Sequence, residues 1–71
     1  MMFSESYDKY RAEVAQACVD LMHGRCTNDD GSKMTDGEIR YFFGVQCSYE
    51  EEFKEGRTPA QVAEDQWDAI T

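Results

Sequence analysis

Apolar residues recur at spacings of three and four from the start of this chain. Between residues 4 and 24, Tyr7, Tyr10, Val14, Ala17 and Leu21 form one stripe, which Cys18 and Met22 widen. Lys9, Glu13, Gln16 and Asp20 fall on the opposite face. The pattern predicts an amphipathic helix of about five turns. Ser4 or Ser6 suits its N-cap, with Glu5 and Asp8 favourable in the first turn. Gly24 ends it, and Arg25 suits the negative helix end.

The rest of the chain alternates stop and start signals. Residues 26–34, CTNDDGSKM, are polar and rich in turn formers, and predict a loop. Thr35-Asp-Gly-Glu38 reads as a capping box opening a second helix, with Ile39, Phe42 and Phe43 on one face. Gly44 weakens that helix, so it ends or bends between Gly44 and Cys47. Ser48 is a fresh N-cap before Glu50, Glu51 and Glu52, while Tyr49 and Phe53, four apart, share a face. Gly56 closes this short helix. Thr58-Pro59 with Gln61 opens a last one, carrying Val62, Ala63, Trp67 and Ile70 inward and Glu64, Asp65 and Asp68 outward. No window alternates with period two. The expectation is one all-α domain over residues 1–71, a small bundle of three to four helices with a long first helix.

Composition bounds what such a bundle can be. A 71-residue domain buries only roughly 60% of its unfolded surface, so its stability is marginal without help. Apolar residues make up 41%, with four Phe, four Tyr and one Trp, enough for a small core. Three cysteines leave one unpaired in any disulfide scheme. The N-terminal residues have no signal-peptide pattern, and no stretch approaches the roughly 18 apolar residues of a membrane span. The expectation is a reduced, cytosolic protein with free thiols, for which self-association as a homodimer is the remaining source of stability.

Charge changes the picture most. Fifteen acidic residues stand against seven basic ones, a net of −8. Residues 1–35 carry six acids and four bases, a net of −2, and residues 36–71 carry nine acids and three bases, a net of −6. Such a surface repels nucleic acid, whose binding runs on phosphate neutralisation by Lys and Arg. It attracts basic protein surfaces, including those kept for nucleic acid. Glu51 and Glu55 are four apart, as are Glu64 and Asp68, a spacing at which like charges slightly destabilise a helix. An ordinary solvated face explains them equally well. The functional expectation is that Glu50, Glu51, Glu52, Glu55, Glu64, Asp65 and Asp68 form a carboxylate surface competing with phosphates for a basic groove. Tyr41 or Trp67 would add contact area, since aromatic side chains are enriched in interfaces. Of the consecutive Tyr41, Phe42 and Phe43, one of Tyr41 or Phe43 should reach the surface.

Chemistry is poorly supplied. Cys18, His23 and Cys26 give C-x4-H-x2-C, with Cys47 far behind. Structural zinc favours paired knuckles, and Cys18 belongs to the apolar stripe, so no metal is expected. Residues 28–32 echo a calcium loop, but aligning Asp30-Gly31 on it puts Cys26 and Gly37 where the essential carboxylates belong. No catalytic or nucleotide-binding fingerprint is present, so the chain is expected to bind rather than catalyse, without a cofactor.

Residues 48–67, SYEEEFKEGRTPAQVAEDQW, resemble the short helix-turn-helix ends of small bacteriophage accessory proteins. The small size and acidity are similar to phage-encoded anti-restriction and anti-CRISPR proteins. That resemblance implies an inhibitor acting in the host cytoplasm on a nucleic-acid-handling defence protein, and it transfers no individual site residue. The alternative is a small structural or adaptor protein that joins itself or a partner through an apolar helix face.

Overall fold

The computed structural model describes residues 2–70, with side chains from Ser6 onward. Among these residues the fold is all-α. The helices are α1 (Met2–Met22), α2 (Asp36–Tyr41), α3 (Glu50–Glu55) and α4 (Pro59–Ile70). A π-helical segment, Phe42–Gln46, continues directly from α2.

α1 is the spine, and its 21 residues span about 31 Å, most of the 40 Å long axis. It begins before the expected caps, so Ser4 and Ser6 lie inside the helix rather than at its end. The roles expected for the Ser4 and Glu5 side chains lie outside the described residues. The chain then leaves α1 through Gly24, whose φ of 71° only glycine adopts at no steric cost. The polar loop closes on itself: Met34 N–H donates to the Cys26 carbonyl at 2.9 Å and Asn28 N–H to that of Ser32 at 2.7 Å. An isolated bridge pairs Thr27 with Lys33.

Two capping boxes start the elements that return along α1. Thr35 Oγ1 accepts from Glu38 N–H at 3.1 Å, and Glu38 Oε1 accepts from Thr35 N–H at 2.8 Å. Thr58 and Gln61 make the same reciprocal pair, at 3.0 and 3.2 Å, ahead of Pro59. Ser48 does not act as expected. α3 starts after Tyr49 with no side-chain cap, and the Ser48 hydroxyl instead lies 3.3 Å from that of Tyr7.

Cross-contacts fix the directions of the helices. Asp36 meets His23, Arg40 meets Gln16, and Arg11 meets the Val45 and Cys47 carbonyls, so α2 and the π segment run antiparallel to α1. α3 crosses the early turns of α1, where the Phe53 ring packs 5.5 Å from that of Tyr7 and 5.2 Å from that of Tyr10. The Tyr10 hydroxyl donates to the Arg57 carbonyl at 2.7 Å, while the far end of α4 lies beside Arg25 and Cys26. α4 therefore runs parallel to α1.

The core lies between these layers. Val14, Cys18, Met22, Ile39, Tyr49 and Val62 are the largest fully enclosed side chains. Because elements pack on two sides of α1, Ala15 and Val19 are buried too, beyond the stripe read from periodicity. Leu21, assigned to that stripe, is only half-buried at its edge.

The π segment departs from the pattern most. It begins at the Phe42-Phe43 step and ends where Cys47 becomes extended. A Cβ built on Gly44 would lie 2.8 Å from that of Ala15, so only a glycine lets the segment approach α1 this closely. Phe43 turns inward, with Tyr41 and Val45 outward. Phe42, expected on the core face, is 42% exposed, and Ile70, expected inward, is 52% exposed. Both sit at the open end of the bundle, where Phe42 leans edge-on against Phe43 instead.

Candidate functional site

The acidic face is built by α3 and α4. Tyr49 places α3. Its hydroxyl donates to the Phe43 carbonyl at 2.6 Å, and its N–H donates to the Tyr7 hydroxyl at 2.8 Å. With one edge of the short helix anchored this way, Glu50, Glu51 and Glu55 are left exposed and Glu52 half-buried. On α4, burial of Val62 and Ala63 against α1 turns Glu64, Asp65 and Asp68 outward. The expected partner residue Tyr41 is exposed on the opposite, α2 side, and Trp67 is half-buried against the core. Glu50, Glu51, Glu52 and Glu55 thus lie on α3, beside the early turns of α1, and Glu64, Asp65 and Asp68 lie along α4, while Tyr41 is on α2.

Periodicity missed one contributor. Asp20 of α1 and Glu64 of α4 line the same shallow groove, with Ala17, Leu21, Ala60 and Ala63 as its floor. The parallel packing of α1 and α4 extends the acidic face onto the first helix. Asp20 was legible as exposed in the sequence, but its neighbour was not.

Every arginine is engaged by the chain itself. Arg11 donates to the Val45 and Cys47 carbonyls at 3.1 and 3.3 Å. Arg25 lies 5.9 Å from the centre of the Trp67 ring, within cation–π range. Arg40 donates to Gln16, which in turn donates to Asp20. Arg57 pairs with Asp65. The three lysines, Lys9, Lys33 and Lys54, are exposed. Among the described residues, the carboxylates of Glu50, Glu51, Glu55, Glu64 and Asp68 make no hydrogen bond or ion pair with the chain. Their field therefore faces solvent, but Arg25, Arg40 and the three lysines are exposed as well, Lys54 on α3 itself, while Arg11 and Arg57 are half-buried.

The thiols lie elsewhere. Cys18 and Cys26 are buried and Cys47 half-buried. Burial, with smaller contributions from Cys47 and Cys26, pushes the Cys18 thiol up to about 11, and burial raises Cys26 as well. Both are held in the unreactive thiol form. His23 is exposed, with Nδ1 2.6 Å from Asp36 Oδ1, where it ties the end of α1 to the start of α2. Among the described residues no three His, Cys, Asp or Glu side chains converge on a point that could hold a metal ion.

An apolar cleft of about 480 Å³ opens between the loop after α1, the π segment and the last turns of α4. Met34, Phe42, Phe43, Trp67 and Ile70 line it, with Asn28 and Asp29 at its edge. No helix of the described residues is long and apolar enough to cross a membrane. No family model, curated protein or solved structure matches the chain.

Proposed function

We propose that this protein acts by binding, and that its acidic face occupies a basic, nucleic-acid-binding surface of another protein. One observation carries this reading: Glu50, Glu51, Glu55, Glu64 and Asp68 are exposed and make no ion pair among the described residues, so they present a negative field to solvent. Such a field steers association with a cationic groove and repels nucleic acid itself. In its fullest form the reading is a phage-type inhibitor of a host defence protein, working in the host cytoplasm without cofactor or catalysis.

The test compares the protein with a variant carrying Glu51→Gln, Glu55→Gln, Glu64→Gln and Asp68→Asn. Each is immobilised and exposed to bacterial lysate at low and high salt, and captured proteins are identified by mass spectrometry. The parent should retain proteins with basic nucleic-acid grooves, release them as salt rises, and lose them to added duplex DNA. The variant should fold equally well and associate at least about tenfold more slowly at low salt. Equal capture by the variant overturns the reading.

Exposure of Tyr41, Phe42, Val45 and Ile70 favours a second reading, an adaptor that joins itself or a partner through an apolar face. Such an interface would be nearly indifferent to salt.

A further inference from the structure

We propose that the cleft between Phe42, Trp67 and Ile70 receives the apolar stripe of a basic amphipathic helix from a partner protein. The proposal rests on the binding reading above and narrows it to a class of partner segment.

The cleft has the form that such a segment needs. Its floor is apolar and aromatic, and it stays open rather than closing into a cavity sized for a small molecule. Phe42 also borders a second hollow with Met34, Tyr41 and Glu38, so apolar surface continues along the π segment and α2. An elongated apolar track with a pocket at one end accepts anchors at i, i+3 and i+4 of a helix.

Charge selects the occupant. Asp29 edges the cleft and Glu38 edges the adjoining hollow. The C-terminus of α1, with its negative partial charge, lies at this end. α1 has no basic residue in its last turn. Arg25 is the one cation lining the cleft, and its guanidinium lies over the Trp67 ring. A second copy of this chain would bring another net charge of −8 to the same place, which disfavours self-pairing here. A segment with Lys and Arg flanking an apolar stripe meets both the floor and the rim.

The probe is an 18-residue peptide of leucine and lysine only, with leucines at i, i+3, i+4 and i+7. Its control is a scrambled peptide of the same composition and charge. Trp67 is the single tryptophan of the chain, so its emission reports occupancy of the cleft directly. The ordered peptide should change that emission and bind roughly tenfold or more tightly than the scrambled one, the loss expected when an anchoring stripe is broken. Phe42→Ser and Ile70→Ser alter exposed residues, should leave the helical spectrum intact, and should each remove most of that preference. Neutralising Glu50, Glu51 and Glu55, away from the cleft, should leave the preference in place. Equal binding of the two peptides, or an unchanged preference in both serine variants, overturns the proposal while leaving the acidic-face reading standing. A concentration-dependent dimer in sedimentation, dispersed by Phe42→Ser, would assign the cleft to self-association and overturn it too.

Discussion

Replacing Gly44 with alanine tests the close approach on which the π segment depends. The added Cβ would lie 2.8 Å from the Ala15 Cβ, against the roughly 3.5–4.0 Å of a relaxed carbon contact. Neither atom belongs to a flexible side chain, so the two backbones must separate by most of an ångström. Overpacking of this kind costs about 1–3 kcal/mol. Alanine recovers roughly 0.8–1 kcal/mol of that through its greater helix propensity. A net loss of up to about 2 kcal/mol follows, and each kcal/mol lowers the Tm of a domain this size by about 4–8 °C. Urea and thermal unfolding, followed by circular dichroism, measure it. Ala15→Gly in the same chain removes the opposing methyl, so a double-mutant cycle should show favourable coupling between the two sites. If Gly44→Ala is as stable as the parent, or more so, the packing argument for a glycine at this position is wrong.

One buried group and one capping group give further outcomes. Tyr49→Phe leaves the Phe43 carbonyl without its donor inside the core and should cost about 1–3 kcal/mol in urea unfolding. Burial holds the Tyr49 phenol neutral, above the ordinary tyrosine value, so its contribution is complete below about pH 10 and lost as pH rises further; Tyr49→Phe should therefore flatten the alkaline unfolding limb. Glu38 behaves in the opposite sense. The Thr35 backbone N–H holds its carboxyl below the ordinary range, so its contribution is present above that range and lost as pH falls through the lowered value. Glu38→Gln should reduce the acid-side slope of stability.

What the sequence made legible was local. The two capping boxes, Gly24 and Gly56 each follow from contacts within a few residues and appear where expected, and the long first helix is there, though it starts earlier and buries Ala15 and Val19 beyond its stripe. The π segment does not, because a π turn differs from an α turn by one residue of slack and is set here by a glycine meeting Ala15 from another helix. That slack determines which of Phe42 and Phe43 is buried. Ser48 failed as a cap because Tyr7, 41 residues away, offered its hydroxyl a tertiary partner. At the acidic face, exposure was readable from periodicity. The partners of the arginines were not, since they lie on other elements or far along the chain.

The parallel course of α1 and α4 has a kinetic consequence. α1 must meet its largest partner across nearly the whole intervening chain, and the connection passes through three other elements. Loop-closure entropy disfavours that encounter until α2, the π segment and α3 have shortened the effective loop. Folding should therefore be slower than in a bundle whose neighbours pair in sequence order. Until residues 59–70 dock, Val14, Cys18 and Met22 remain partly uncovered, an apolar strip on which the incomplete chain is most prone to aggregate.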